Sequence, residues 1–331
     1  MPETLRCDPQ LFEKDLSGKV VIITGCTSGT GLCTAKQLLK QKATVIMASR
    51  NVEVGESTAR EAGGIFMRLD LTDLDSVRSF SQEFIAKYDR LDILVNNAGV
   101  MMPPLSHTKD GFELQMATNH FGHFLLTALL KDLLEKSAPS RVVILSSCAS
   151  CPCSPKFGTT CDINFDDLHW KSRKYDKGEA YAQSKLANVL HAMQIAKSYN
   201  GVTAYSLHPG WVQSKLMRHM GPGCVTCCLE CCCMKCTGAM INVWDGSQTS
   251  LHCILSEPEA LENGAFYSQF GIYKDKASQK GGWPMKIPNA NATDEIAARL
   301  WDESAKLVGL GPSGSVPEAW AVKAPGQQGM S

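Results

Sequence analysis

The sequence predicts a single α/β domain built on a doubly wound parallel sheet. Three observations carry this. From residue 18 to about 208, six apolar runs alternate with amphipathic helical stretches. The runs are continuously apolar, as in strands covered on both faces. The first run passes directly into a glycine-rich turn that opens a helix.

Taken in order, Lys19–Thr24 reads as the first buried strand, and a helix runs from about Gly29 to Gln41. Ala43–Ala48, Ile65–Leu69, Leu91–Val95, Arg141–Leu145 and Val202–Leu207 follow as strands two to six. Helical patterns fall near 52–62, 73–88, 112–135 and 178–199. Right-handed crossovers wind such a chain into a Rossmann-type sheet. Three stretches break the rhythm: 148–177, long for a strand-to-helix loop; 213–245, rich in Cys, Gly and Met; and the polar 271–291. There is no internal repeat and no dividing linker. The expected organisation is an N-terminal extension over 1–17, one domain over 18–310, and a disordered tail over 311–331, where Gly, Pro and Ser accumulate.

The 331 residues are 44% apolar, enough to bury a full core. Lys and Arg (33) balance Asp and Glu (33), which argues against a nucleic-acid partner. The densest basic stretch, Lys171–Lys177, is short and reads as solvated loop. The N-terminus lacks the apolar region of a secretory signal, and no apolar run approaches the length of a bilayer span. A cytoplasmic protein with its 15 cysteines mostly reduced is expected.

The residues with chemical potential lie at one end of the predicted strands. Gly25, Gly29 and Gly31 are spaced G-x-x-x-G-x-G, with Ser28 and Thr30 between them. Glycines there allow a sharp turn and close approach of backbone to a pyrophosphate at the helix N-terminus, although a plain tight turn has the same composition. The second strand ends in Arg50, where a carboxylate would suit a ribose 2′-hydroxyl; arginine suits a 2′-phosphate, so NADP is expected over NAD. Asp70 and Leu71 follow the third strand, at the position of an adenine edge, and Asn97-Ala98-Gly99 closes the fourth. Asn119 stands in a helix, and Ser147 ends the fifth strand. Tyr181 and Lys185 are four apart and share a helix face. A neighbouring ammonium favours the phenolate and lowers a tyrosine pKa, fitting the phenol for proton exchange with an alcohol or carbonyl.

In this order the elements resemble the short-chain dehydrogenase/reductase family, over residues 18 to about 214, with Pro209-Gly210 as the last match. Asn97–Met102, Asn119–Phe124, Ser184–Asn188 and Gln248–His252 are similar to the retinol dehydrogenase-like branch. The resemblance implies that Tyr181 is the general acid/base and that Lys185 binds the nicotinamide ribose and tunes the phenol. It implies that Ser147 holds the substrate oxygen and Asn119 anchors a proton-relaying water. Pro209, Gly210 and Val212 would line the nicotinamide. NADP-preferring relatives often carry a basic residue within the turn, and none stands over 26–28; Thr30 also replaces a commoner isoleucine, a mild change.

Residues 224–236 hold seven cysteines. Cys224, Cys227, Cys228 and Cys231 would share one helical face, and thiols behave as small hydrophobes, so an apolar substrate lid over 213–245 is the leading expectation. S-acylation of that helix, with peripheral contact to a membrane, is a second reading. The C-x-x-C pairs could also hold metal, but zinc usually takes its second pair from a distant segment, and no metal site is expected. The sequence thus points to an NADP(H)-dependent oxidoreductase acting on a hydrophobic alcohol or carbonyl, with a homodimer as an open possibility. A cofactor-sensing scaffold and a metal or redox sensor built on the cysteines are the alternatives.

Overall fold

A computed structural model describes residues 6–151, 161–214, 216, 240–269, 289–317 and 320. Its core is a seven-stranded parallel sheet. The strands in chain order are β1 (Val20–Thr24), β2 (Thr44–Ser49), β3 (Ile65–Arg68), β4 (Ile93–Asn96), β5 (Ser140–Leu145), β6 (Val202–His208), a short β7 (Trp211–Val212), β8 (Met240–Ile241) and β9 (Phe266–Ser268). The large sheet runs β3-β2-β1-β4-β5-β6-β9, while β7 and β8 pair separately. The order reverses direction between β1 and β4, the point where open α/β sheets form a ligand crevice.

The helices are α1 (Gly29–Lys40), α2 (Val52–Ala62), α3 (Leu74–Lys87), α4 (Leu114–Met116), α5 (Gly122–Leu129), α6 (Lys131–Lys136), α7 (Lys177–Ser198), α8 (Val243–Leu255) and α9 (Asp294–Leu307). Strand periodicity divides them between two faces. Val20 and Ile22 join one core cluster with residues of α3, α5, α7 and α9; Val21 and Ile23 join the other with residues of α1 and α8. Both faces of β1 are therefore dry, as its unbroken apolar run requires.

Several expectations change. The helix expected over 112–135 is interrupted: between α4 and α5 lies a π-helical turn, Ala117–Phe121, and a further break separates α5 from α6. The strand β9 and helices α8 and α9 were not expected. The N-terminal extension is tied to the domain: Cys7 is buried, and the Gln41 side chain donates to the carbonyls of Leu11 (2.9 Å) and Lys14 (3.1 Å). At the C-terminal end, residues 311–317 and Trp320 pack on the domain. Gly311 N–H bonds to Ser315 O at 2.8 Å, and the Arg78 guanidinium lies 4.3 Å from the centroid of the Trp320 ring. Buried Leu310 and two partly buried apolar side chains, Val316 and Trp320, anchor a segment whose Gly, Pro and Ser content masks them. Among the described residues no helix is long and apolar enough to cross a membrane. The cysteine cluster at 224–236, and most of the expected lid, lie outside them.

Candidate active site

A cavity of about 850 Å³ opens along the carboxyl edge of β1, β2, β3, β4, β5 and β6. At its nucleotide end is the turn after β1. Gly29 has φ +63°, and among the described residues an added Cβ would meet only Ser214, at 3.7 Å, so glycine serves backbone conformation there. Ser28 is the N-cap of α1 but makes no side-chain capping bond. By contrast Asn51, Asp73, Asp176, Asn242 and Thr293 cap α2, α3, α7, α8 and α9. Among the described residues the first N–H groups of α1 have no side-chain acceptor where they border the cavity, the environment that suits a phosphate.

Gly31 does not line the cavity. A Cβ at Gly31 would come 2.4 Å from Asn97 Nδ2, so its function is close packing of α1 against the end of β4. The Asn97 side chain is committed to the same junction: Nδ2 donates to Thr24 O at 2.7 Å and Oδ1 accepts from Thr30 Oγ1 at 3.2 Å. The Thr24 hydroxyl accepts from the backbone N–H groups of Asn97 and Ala98, both at 2.9 Å. Arg50 is exposed on the cavity wall, with Asp70 and Leu71 beside it. Asp70 Oδ1 accepts from both the N–H (3.0 Å) and the hydroxyl (2.7 Å) of Thr72.

At the other end stand Ser147, Tyr181 and Lys185, and Pro209, Gly210 and Val212 also line the cavity. Asp176 caps α7 and sets the first turn that presents Tyr181. The phenol is hydrogen-bonded to Ser147. Burial raises its pKa well above the ordinary value, and the Ser147 bond opposes that rise. Lys185 is buried too, and desolvation pushes its pKa down to about 7. Its Nζ donates to Leu145 O at 3.0 Å and lies 5.7 Å from the Tyr181 ring centroid. Desolvation is the largest cause of both shifts, and it drives each group toward its neutral form.

Asn119 stands one layer behind the cavity, in the π-turn. Oδ1 accepts from Val100 N–H at 2.8 Å; Nδ2 donates to Val100 O at 3.0 Å and to Ser184 Oγ at 2.9 Å. Its side chain is thus committed to protein partners. The cavity continues past Ser147 into an apolar wall that includes Met101, Pro103, Pro104, Leu105, Trp211 and Leu216. None of these six was singled out from the sequence. The run Met101-Met-Pro-Pro-Leu105, directly after Asn97-Ala-Gly99, was the available signal. Among the described residues no cluster of three or more His, Cys, Asp or Glu is placed to hold a metal ion.

A sequence model of the short chain dehydrogenase family matches residues 19–158. Retinol dehydrogenase 12 of Bos taurus is 42% identical over 314 residues, covering 92% of this chain and 89% of that protein. Retinol dehydrogenase 11 of Homo sapiens is 40% identical, covering 89% and 87%. Among solved structures, an uncharacterized protein from Mycobacterium Paratuberculosis superposes with a TM-score of 0.69 at 31% identity, covering 92% of this chain and 97% of that one.

Proposed function

The chain belongs to the short-chain dehydrogenase/reductase family, in its retinol dehydrogenase-like branch, and from that premise we propose that it transfers a hydride between NADP(H) and a hydrophobic alcohol or carbonyl compound. The observation that carries this is a single cavity with an uncapped helix N-terminus at one end and hydrogen-bonded Tyr181 and Ser147 at the other.

Gly25 to Thr30 would hold the pyrophosphate, Arg50 the 2′-phosphate, and Asp70 with Leu71 the adenine edge. Ala98, Gly99 and Lys185 would border the nicotinamide ribose, and Pro209, Gly210 and Val212 the ring. When bound, the nucleotide supplies or accepts the hydride. The protein supplies the rest. Ser147 orients the substrate oxygen, and Tyr181, the buried phenol, gives that oxygen its proton in reduction and takes it back in oxidation. Lys185 brings a protonatable amine with a pKa near neutrality to the floor beside Gly99, where an added Cβ would lie 3.5 Å from Nζ. NADP is favoured over NAD by Arg50 and by the lack of a carboxylate over Ala48–Asn51. The apolar wall from Met101 to Leu105, with Trp211, favours a hydrophobic substrate, and the relatives' names make retinoids the first class to try.

The test is turnover of retinal, medium-chain aldehydes and steroid ketones with NADPH and with NADH. Tyr181→Phe should lower kcat by about 10²- to 10⁴-fold and leave nucleotide affinity nearly unchanged. Full turnover by that variant, or tight nucleotide binding without turnover of any carbonyl, would overturn the reading; the second result would favour a sensing scaffold.

A further inference from the structure

The carbonyl of Asn119, in the π-turn, and the hydroxyl of Thr24, at the end of β1, lie on opposite sides of one buried imidazole. His123 Nδ1 is 3.1 Å from Asn119 O, and Nε2 is 2.8 Å from Thr24 Oγ1. A carbonyl can only accept, so Nδ1 carries the proton and Nε2 presents its lone pair. Thr24 Oγ1 already accepts the N–H groups of Asn97 and Ala98. Its own proton has two acceptors in reach, Nε2 at 2.8 Å and Val95 O at 3.4 Å, and the shorter contact is the better bond. In this arrangement each of these donors meets an acceptor. The opposite tautomer would bring a third N–H to Thr24 Oγ1 and turn a nitrogen lone pair against the Asn119 carbonyl. Burial reinforces the neutral ring, pushing the His123 pKa down to about 4.

We infer that His123 is a positioning residue. Through Thr24 it fixes the backbone N–H groups of Asn97 and Ala98 at the nucleotide end of the cavity, and through the Asn119 carbonyl it fixes the π-turn that backs Gly99 and Lys185. A ring with one donor and one acceptor on different edges can satisfy both elements together. An apolar ring of similar size would leave the Asn119 carbonyl without this donor and the Thr24 hydroxyl with only the long contact to Val95. The inference rests on the reading of this edge as the nucleotide site.

Two measurements test it. Long-range ¹H–¹⁵N correlation on the nucleotide-free protein should show the His123 proton on Nδ1 and a pyridine-type Nε2. A proton on Nε2 overturns the inference whatever the nucleotide does. NADPH affinity, read by fluorescence titration, should fall about tenfold in His123→Phe, the order of one lost hydrogen bond, with His123→Gln recovering most of it. Thr24→Val combined with His123→Phe should bind no worse than the weaker single variant, since both break one linkage. Additive losses, or unchanged affinity in His123→Phe, overturn it. Failure of the wild-type protein to bind NADPH would instead count against the proposed function. Should His123→Phe not fold, His123→Gln and the wild-type tautomer still decide.

Discussion

Asn119 is joined to Val100 through both ends of its carboxamide, accepting the backbone N–H and donating to the backbone carbonyl. The same amide donates to Ser184 Oγ, and that hydroxyl donates to the carbonyl of Tyr181 at 2.8 Å. The π-turn, the loop after β4 and the start of α7 are thereby held in one network. Asn119→Ala strands two backbone groups of Val100 and should cost about 1–3 kcal/mol. Asn119→Asp keeps the bond from Val100 N–H but sets an oxygen against Val100 O, so it should also be destabilising despite its near-identical shape. Urea denaturation of the three proteins would show this, and equal midpoints would contradict it.

Arg50 carries the nucleotide preference. Arg50→Ala should weaken NADPH binding about 10- to 100-fold, the order of a charge-assisted contact to phosphate, with little change in NADH binding. Parallel fluorescence titrations with the two nucleotides make the comparison. An equal change for both would remove the preference from this residue.

Trp320 fastens the C-terminal segment. Its ring stacks on Arg78 and lies over Gly309, where an added Cβ would meet it at 3.1 Å. Trp320→Ala should cost about 1–2 kcal/mol through lost apolar burial and the cation–π contact. Thermal unfolding measures the cost. An unshifted transition would mean that the fastening adds nothing to stability.

Four buried histidines make the fold sensitive to acid. Burial pushes His120 and His208 down to about 3, His123 to about 4, and His191 well below the ordinary value. The unfolded chain takes up these protons near pH 6.5 and the folded chain does not. Stability is therefore fully present above about pH 6.5 and is lost as pH falls toward 4, by about 2 kcal/mol at pH 5 for each imidazole kept neutral. Among the described residues both ring nitrogens of His191 lack hydrogen-bond partners, and the ring packs on Phe124, His120 and Trp301. His191→Phe should narrow the gap in urea midpoint between pH 7.5 and pH 5. An unchanged gap would mean that His191 does not contribute to it.

The strands over 18–208 were legible because each is an apolar run too long to be exposed, and the glycine turn because backbone conformation restricts its composition. Beyond that region the signals weaken. Phe266-Tyr-Ser268 is only three residues, and among the described residues β6 alone supports it in the sheet. The cap of α9 was readable, with Thr293 accepting from Ile296 N–H at 3.3 Å, but no strand follows to extend the alternation. At the site, residue types were legible and depth was not. Asn119 and Gly31 fall behind the cavity because a π-turn and a tight helix–strand contact place them there, and residue spacing does not encode either. The burial that shifts Tyr181 and Lys185 is not legible either, since desolvation depends on what surrounds a pair.

The pairing of Trp211 with Met240 and Val212 with Ile241 has an evolutionary consequence. It holds side by side two points that are far apart in the chain, next to the cavity wall that Trp211 and Val212 line. The entropy of closing such a loop grows only with the logarithm of its length. Residues between these points can therefore be lengthened, shortened or replaced at small cost to the sheet.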